Sequence, residues 1–123
     1  MSTEIITIFL DHNLRIRRFT TGATKLFKVI PGDMGRELSD IVSDLQYQEL
    51  PDDAREVLRQ LVVSEKQVDT VDGRWFSVRI MPYRTLDERI DGVVMTFTDI
   101  TATKKLEAEL RGAGENRSLE EAR

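Results

Sequence analysis

Asp72-Gly73-Arg74-Trp75-Phe76-Ser77-Val78-Arg79-Ile80-Met81-Pro82-Tyr83, followed by Asp91-Gly92-Val93-Val94-Met95-Thr96-Phe97-Thr98-Asp99-Ile100-Thr101, decides how this chain folds. Asp-Gly between extended runs is a tight-turn signal, so Glu65 to Thr70 and Arg74 to Tyr83 read as paired strands. In the longer strand Phe76, Val78 and Ile80 share one face, and Trp75, Ser77, Arg79 and Met81 the other. A polar connection from Arg84 to Arg89 leads through Asp91-Gly92 to a strand over Val93 to Thr98. There Val93, Met95 and Phe97 fall on one side, Val94, Thr96 and Thr98 on the other. The period then becomes helical from Ala102 to Leu110, with Thr101 as a candidate N-cap and Glu107–Arg111 as an i,i+4 pair. Gly112 and Gly114 should weaken this helix and leave Glu115 to Arg123 frayed.

Toward the N-terminus, Ile5 to Leu10 is β-branched and apolar on both faces, as suits a buried strand. Asp11-His12-Asn13 is a run of turn formers, and Leu14 to Phe19 alternates like a half-exposed strand. Leu14 and Ile16 lie opposite Arg15 and Arg17. A core strand this close to Met1 suggests a domain taken from a longer protein. Thr20 or Thr21 can cap a short helix carrying Ala23, Leu26, Phe27 and Ile30, which Pro31-Gly32 stops. Residues 31 to 52 are irregular and acidic, with helical turns expected near 37–42 and 47–50. Asp53 stands three residues before Glu56, a capping-box spacing, and Ala54, Val57, Leu58, Leu61 and Val62 form one apolar stripe.

Hairpins at both ends with helices between them predict an α+β domain: about five antiparallel strands, with helices on one face and an exit helix. With Phe76, Val78 and Ile80 turned to the helices, the outer face carries Ile5, Phe9, Trp75, Met81 and Val94. An apolar outer face is unusual for an open sheet, and predicts an interface with a second copy or a preceding helix.

At 123 residues and 40% hydrophobic content, the chain holds one domain with a real core. A net charge of −4 argues against a nucleic-acid binder. Cysteine is absent, which excludes disulfides, thiolate nucleophiles and Cys-ligated metals, and the single histidine, His12, cannot build a His-cluster metal site. No apolar run approaches a membrane span, and the N-terminus has no basic leader, so the expectation is a cytoplasmic domain.

The ordered set Asp72-Gly73-Arg74-Trp75, Pro82-Tyr83-Arg84, Asp91-Gly92 and Asp99-Ile100-Thr101 before an exit helix resembles a PAS domain. Phe9 to Thr20 and Asp53 to Leu58 are similar to the PAS domains of bacterial hybrid chemotaxis-type proteins. Those proteins carry CheB methylesterase and CheR methyltransferase segments, often with a histidine kinase. The similarity covers residues 4 to 111. It implies a PAS-like five-stranded sheet, with a sensory domain over 4–100 and an exit helix and tail over 101–123 leading to an attached effector. It implies a non-catalytic sensory or signal-relay role, or else a ligand-free dimerisation scaffold, within a methyltransferase or histidine kinase. Carried onto this chain, Asp99 and Thr101 fix the exit geometry and Ile100 anchors the junction in the core. Covalent flavin chemistry needs a cysteine, and haem-binding relatives use a histidine on a middle helix. Neither suits this sequence, which leaves a small non-covalent metabolite or an empty core. The fold then suggests Phe27, Tyr47, Leu58, Val78, Arg79 and Met95 as pocket candidates, Arg79 only if the face assignment is inverted. A homodimer is the expected assembly.

The remaining charged residues have plainer readings. His12 sits among turn formers, and no GxSxG elbow supplies a nucleophile. Asp52-Asp53, Asp87-Glu88 and Glu120-Glu121 read as solvated caps and loop charges. Gly32-Asp33-Met34-Gly35 lacks the GK[ST] ending of a phosphate loop. Arg15, Arg17, Arg18, Lys25 and Lys28 form a basic stretch, whereas Asp33 to Glu56 holds eight acids against two arginines. Thr103, Leu106, Leu110 and Ala113 give the exit helix a short coiled-coil spacing.

Overall fold

The computed structural model describes residues 5–29, 31–87 and 89–121, the last nine as backbone only. Ile30, Glu88 and the final two residues therefore lie outside the described residues, as do the side chains of Ala113, Glu120 and Glu121. Five strands form one antiparallel sheet: β1 (Ile5–Asp11), β2 (Ile16–Phe19), β3 (Ser64–Asp69), β4 (Trp75–Arg84) and β5 (Ile90–Asp99). Their spatial order is β2-β1-β5-β4-β3, so the two terminal segments meet at the centre of the sheet. Three 3-10 turns (Thr21–Lys25, Pro31–Asp33, Leu38–Asp40) and helix α1 (Leu50–Gln60) are the helical elements between β2 and β3. Helix α2 (Thr101–Glu121) leaves β5 through a single residue, and its backbone runs through both Gly112 and Gly114.

Alternation governs the core. Ile6, Ile8 and Leu10 of β1, Phe76, Val78 and Ile80 of β4, and Val93, Met95 and Phe97 of β5 are all buried. They form one cluster with Leu26, Phe27, Leu50, Ala54 and Val57 from the covering layer. The face assignment read from sequence is therefore correct.

The covering layer departs from the sequence reading in three places. The residues after Thr20 make a 3-10 turn without a side-chain cap, because the Thr20 hydroxyl accepts the Thr7 backbone N–H at 3.0 Å instead. Helix α1 begins at Leu50, not at Asp53, with Pro51 in its first turn where no N–H is needed, and Asp52 and Asp53 beside the positive end of the helix dipole. It stops at Leu61, which adopts a left-handed conformation (φ 57°), so Leu61 and Val62 leave the apolar stripe and are exposed.

The last strand begins at Ile90, ahead of the Val93 expected, so Asp91 and Gly92 both belong to β5. Gly92 pairs with Asp11 on one side and Tyr83 on the other. A Cβ at Gly92 would lie 1.9 Å from the Leu10 carbonyl oxygen, so the strands approach here as only glycine permits.

Candidate functional site

The exit from the sheet is held by a compact set of hydrogen bonds. The Thr101 hydroxyl donates to Asp99 Oδ1 at 2.6 Å and accepts the Trp75 backbone N–H at 2.9 Å. Asp99 Oδ1 also accepts the Thr101 backbone N–H at 2.9 Å. The Ile100 N–H donates to the Trp75 carbonyl at 2.8 Å, which continues the ladder between β4 and β5 one residue past the strand. Lys104 Nζ lies 5.0 Å from the centre of the Trp75 ring. The first turn of α2 is thus tied to the first residue of β4.

The capping carboxylate is that of Asp99, at the favourable end of the helix, and Thr101 serves as the bridge to β4. Ile100 is only half-buried and stands outside the core cluster, so it anchors the exit through its backbone and not through its side chain. Glu107 pairs with Lys104 at 3.6 Å, one turn earlier, in place of the expected Arg111. Trp75 is the junction residue that periodicity missed: its parity assigns it to the outer face, and only the register shows its backbone beneath Thr101.

Of the pocket candidates, Phe27, Tyr47, Val78 and Met95 are buried in the core, and Leu58 packs against it half-buried. The Phe27 and Phe97 rings meet edge to face with centroids 5.2 Å apart. Arg79 does not belong to this set. It stands exposed on the outer face of β4, because β4 keeps strict alternation past it. His12 is exposed in the β1–β2 connection, beside a surface hollow of about 580 Å³ that Arg15, Glu37 and Arg55 also line. Among the described residues no group of acids and histidines could hold a metal ion.

Two clasps, neither visible in the sequence, hold the covering layer on the sheet. Tyr47, from the loop before α1, donates its phenolic hydrogen to Asp53 of α1, and Lys66 of β3 reaches the same carboxylate at 2.7 Å. Burial pushes the Asp53 carboxyl up, but the bonds from Lys66 and Tyr47 outweigh it and hold the group below the usual range. The Tyr47 phenol is pushed above its ordinary value by burial and by that carboxylate. Arg74, just before β4, reaches Asp72 at 3.1 Å, Asp44 at 3.3 Å and the Lys25 carbonyl at 3.3 Å. Thr70 and Arg74 together hold the Asp72 carboxyl below its ordinary range.

On the outer face the register replaces one apolar patch with two. Ile5, Thr98 and Ser77 form one row, Thr7, Thr96 and Arg79 the next, and Phe9, Val94 and Met81 a third. The polar middle row separates Ile5 and Trp75 from Phe9, Val94 and Met81. Beside Phe9, β2 is bulged: Phe9 pairs with Arg18 while Leu10 pairs with Ile16, which leaves Arg17 as the extra residue. Two consecutive arginines therefore line the same hollow of about 320 Å³, with Phe9, Tyr83 and Asp91. Arg17 pairs with Asp91 at 2.9 Å, and the Arg18 guanidinium lies 4.3 Å from the Phe9 ring centre.

A PAS domain family model matches residues 1–101, nearly the whole sheet and its covering layer. The chain belongs to the PAS domain family. It is 40% identical over 108 residues to an uncharacterized 104.1 kDa Rhodobacter capsulatus protein named for its position in the hypE 3′ region. That alignment covers 85% of this chain but 11% of the relative, so the chain spans about a tenth of that protein. Among solved structures, it is similar to the PAS domain of histidine kinase ThkA, with a TM-score of 0.65 and 26% identity, covering 80% of this chain and all of that one. Vibrio cholerae VqmA aligns with a TM-score of 0.61 at 16% identity, over 81% of this chain and 48% of its own, and shows the fold alone. Among the described residues of this PAS domain, no helix is long and apolar enough to cross a membrane.

Proposed function

We propose that this PAS domain is a non-catalytic sensory relay within a larger bacterial signalling protein, with residues 4–100 as the sensing unit and 101–123 as the start of a connector. The observation that carries this reading is the exit junction. Asp99 and Thr101 tie the base of α2 to the Trp75 backbone, so a shift of β4 against β5 has a direct mechanical route into the helix. A ligand or partner acts only by favouring one of two sheet arrangements over the other. The likeness to the ThkA domain supports a histidine-kinase-type effector, and the chemotaxis-type placement gains no support from the comparisons.

The test is hydrogen exchange on Thr101→Val and Asp99→Ala chains. Protection at Trp75 and Lys104 should fall while that of Val78 and Met95 persists. Unchanged protection at the base of α2 would remove the coupling route.

A second reading, a ligand-free homodimeric scaffold, is supported by the edge-to-face packing of Phe27 and Phe97 at the core and by Ile5, 52% exposed on the outer face. In both readings Ile5, Phe9, Trp75, Met81 and Val94 supply the candidate interface. A small-molecule thermal-shift screen separates the two. A specific stabiliser supports a metabolite-binding core around Phe27, Tyr47, Leu58, Val78 and Met95; stability that rises only with protein concentration supports the scaffold.

A further inference from the structure

Two unpartnered surfaces of this chain have opposite character. Leu106 and Leu110 of α2 are 56% and 65% exposed, one turn apart on the same side of the helix. Lys104, nearly opposite at about 100° per residue, packs over the chain's own Trp75. The leucine stripe therefore points away from the domain that carries it. Glu107, whose exposed pair with Lys104 at 3.6 Å would have to be exchanged or shared, and Glu109 flank the stripe on either side.

On the sheet, the row of Phe9, Val94 and Met81 is only half-buried. Arg18 sits beside it, stacked on Phe9, and Arg79 stands in the adjoining row. Among the described residues neither arginine is within ion-pair distance of a carboxylate, although Glu65 of β3 stands directly across the ladder from Arg79; Arg17 is already held by Asp91. A guanidinium stacked on an aromatic ring keeps its N–H edge free for a carboxylate, with its rotamer already restricted.

We propose that the Leu106–Leu110 stripe of α2 docks on the Phe9–Val94–Met81 row of a second copy. Glu107 and Glu109 meet Arg18 and Arg79, and each protomer donates one stripe and receives the other. This rests on the association reading above and names the surfaces that associate. A parallel coiled coil of α2 accounts for the leucines less well. In its heptad Glu107 faces Ala102 and Glu109 faces Gly114, so no ion pair forms across the seam, and Thr103 takes a core position. A face-to-face sheet dimer sets like patches against each other and brings no new carboxylate to Arg18.

Sedimentation equilibrium on the whole 123-residue chain tests the proposal, with far-UV circular dichroism to confirm that each variant is folded. The wild type should dimerise, and Leu106→Asp with Leu110→Asp should abolish the dimer. Arg18→Glu with Arg79→Glu, and separately Glu107→Arg with Glu109→Arg, should each weaken association about tenfold or more. An equimolar mixture of those two charge-reversed chains restores both contacts and should return the heterodimer to wild-type affinity. A dimer that needs the leucines but ignores Arg18 and Arg79 would overturn the docking in favour of a coiled coil and leave association intact. One that needs the arginines but ignores the leucines would overturn it in favour of a sheet-to-sheet contact. Folded charge-reversed chains that fail to rescue each other would also overturn it, and a strictly monomeric wild type would remove both the docking and the association.

Discussion

Gly92, Asp53 and Leu61 show how single positions carry this fold. At Gly92 a methyl group would meet the Leu10 carbonyl, a backbone atom that cannot turn aside. Gly92→Ala should cost ~3 kcal/mol of stability, read from urea denaturation. Asp53 titrates below its unfolded value, so its contribution is complete above roughly pH 4 and disappears as acid protonates it. Tyr47 titrates above its unfolded value, so its contribution holds below about pH 10 and is lost as alkali ionises it. Melting temperature against pH should therefore fall at both extremes. Asp53→Asn should flatten the acid limb and Tyr47→Phe the alkaline one; an unchanged profile in either would dissolve the clasp. Leu61 holds a left-handed conformation while exposed, so Leu61→Gly should raise stability by about 0.5–1 kcal/mol by relieving the Cβ clash.

The strands were legible and the covering layer was not, for a reason seen in its hydrogen bonds. Each strand repeats with period two, and burial at Phe76, Val78, Ile80, Val93, Met95 and Phe97 follows that period residue by residue. Between residues 20 and 49 local turn bonds alternate with backbone bonds to distant partners: Ile16 N–H to the Arg36 carbonyl, Leu38 N–H to Leu14, Asp44 N–H to Leu26. No local spacing encodes such bonds. The start of α1 was misplaced for the same kind of reason. Asp53 has the spacing of a capping residue, yet Tyr47 and Lys66 claim its carboxylate from two other elements. At the exit, Thr101→Val removes the side-chain acceptor of the Trp75 N–H, and the cost should be about 1–2 kcal/mol in equilibrium unfolding. A smaller loss than Thr103→Val on the exposed side of the helix would mean that the bridge contributes nothing.

Across the whole molecule, basic and acidic side chains are unevenly spread. Arg17, Arg18 and Arg79 lie on the outer side of the sheet, while the run from Asp33 to Glu56, with its eight acids, covers the other side. A net charge of −4 conceals this polarity. If association joins the arginine side to glutamates of α2, then raising salt from about 0.05 to 0.5 M should weaken the dimer severalfold, because exposed pairs are screened. Association that strengthens with salt would point to apolar contact alone.

Read alone, the order of residues was enough to establish five strands, which face of each is buried, the Asp72-Gly73 turn, and kinship with PAS domains. Alternation and turn chemistry are local properties, written within a few consecutive positions. Only the folded chain decided that Arg79 divides the outer face, that the β2 bulge turns Arg17 and Arg18 into one hollow, and that Trp75 lies beneath Thr101. Each of these depends on register between strands remote in sequence, where a one-residue slip or bulge changes which side chains meet.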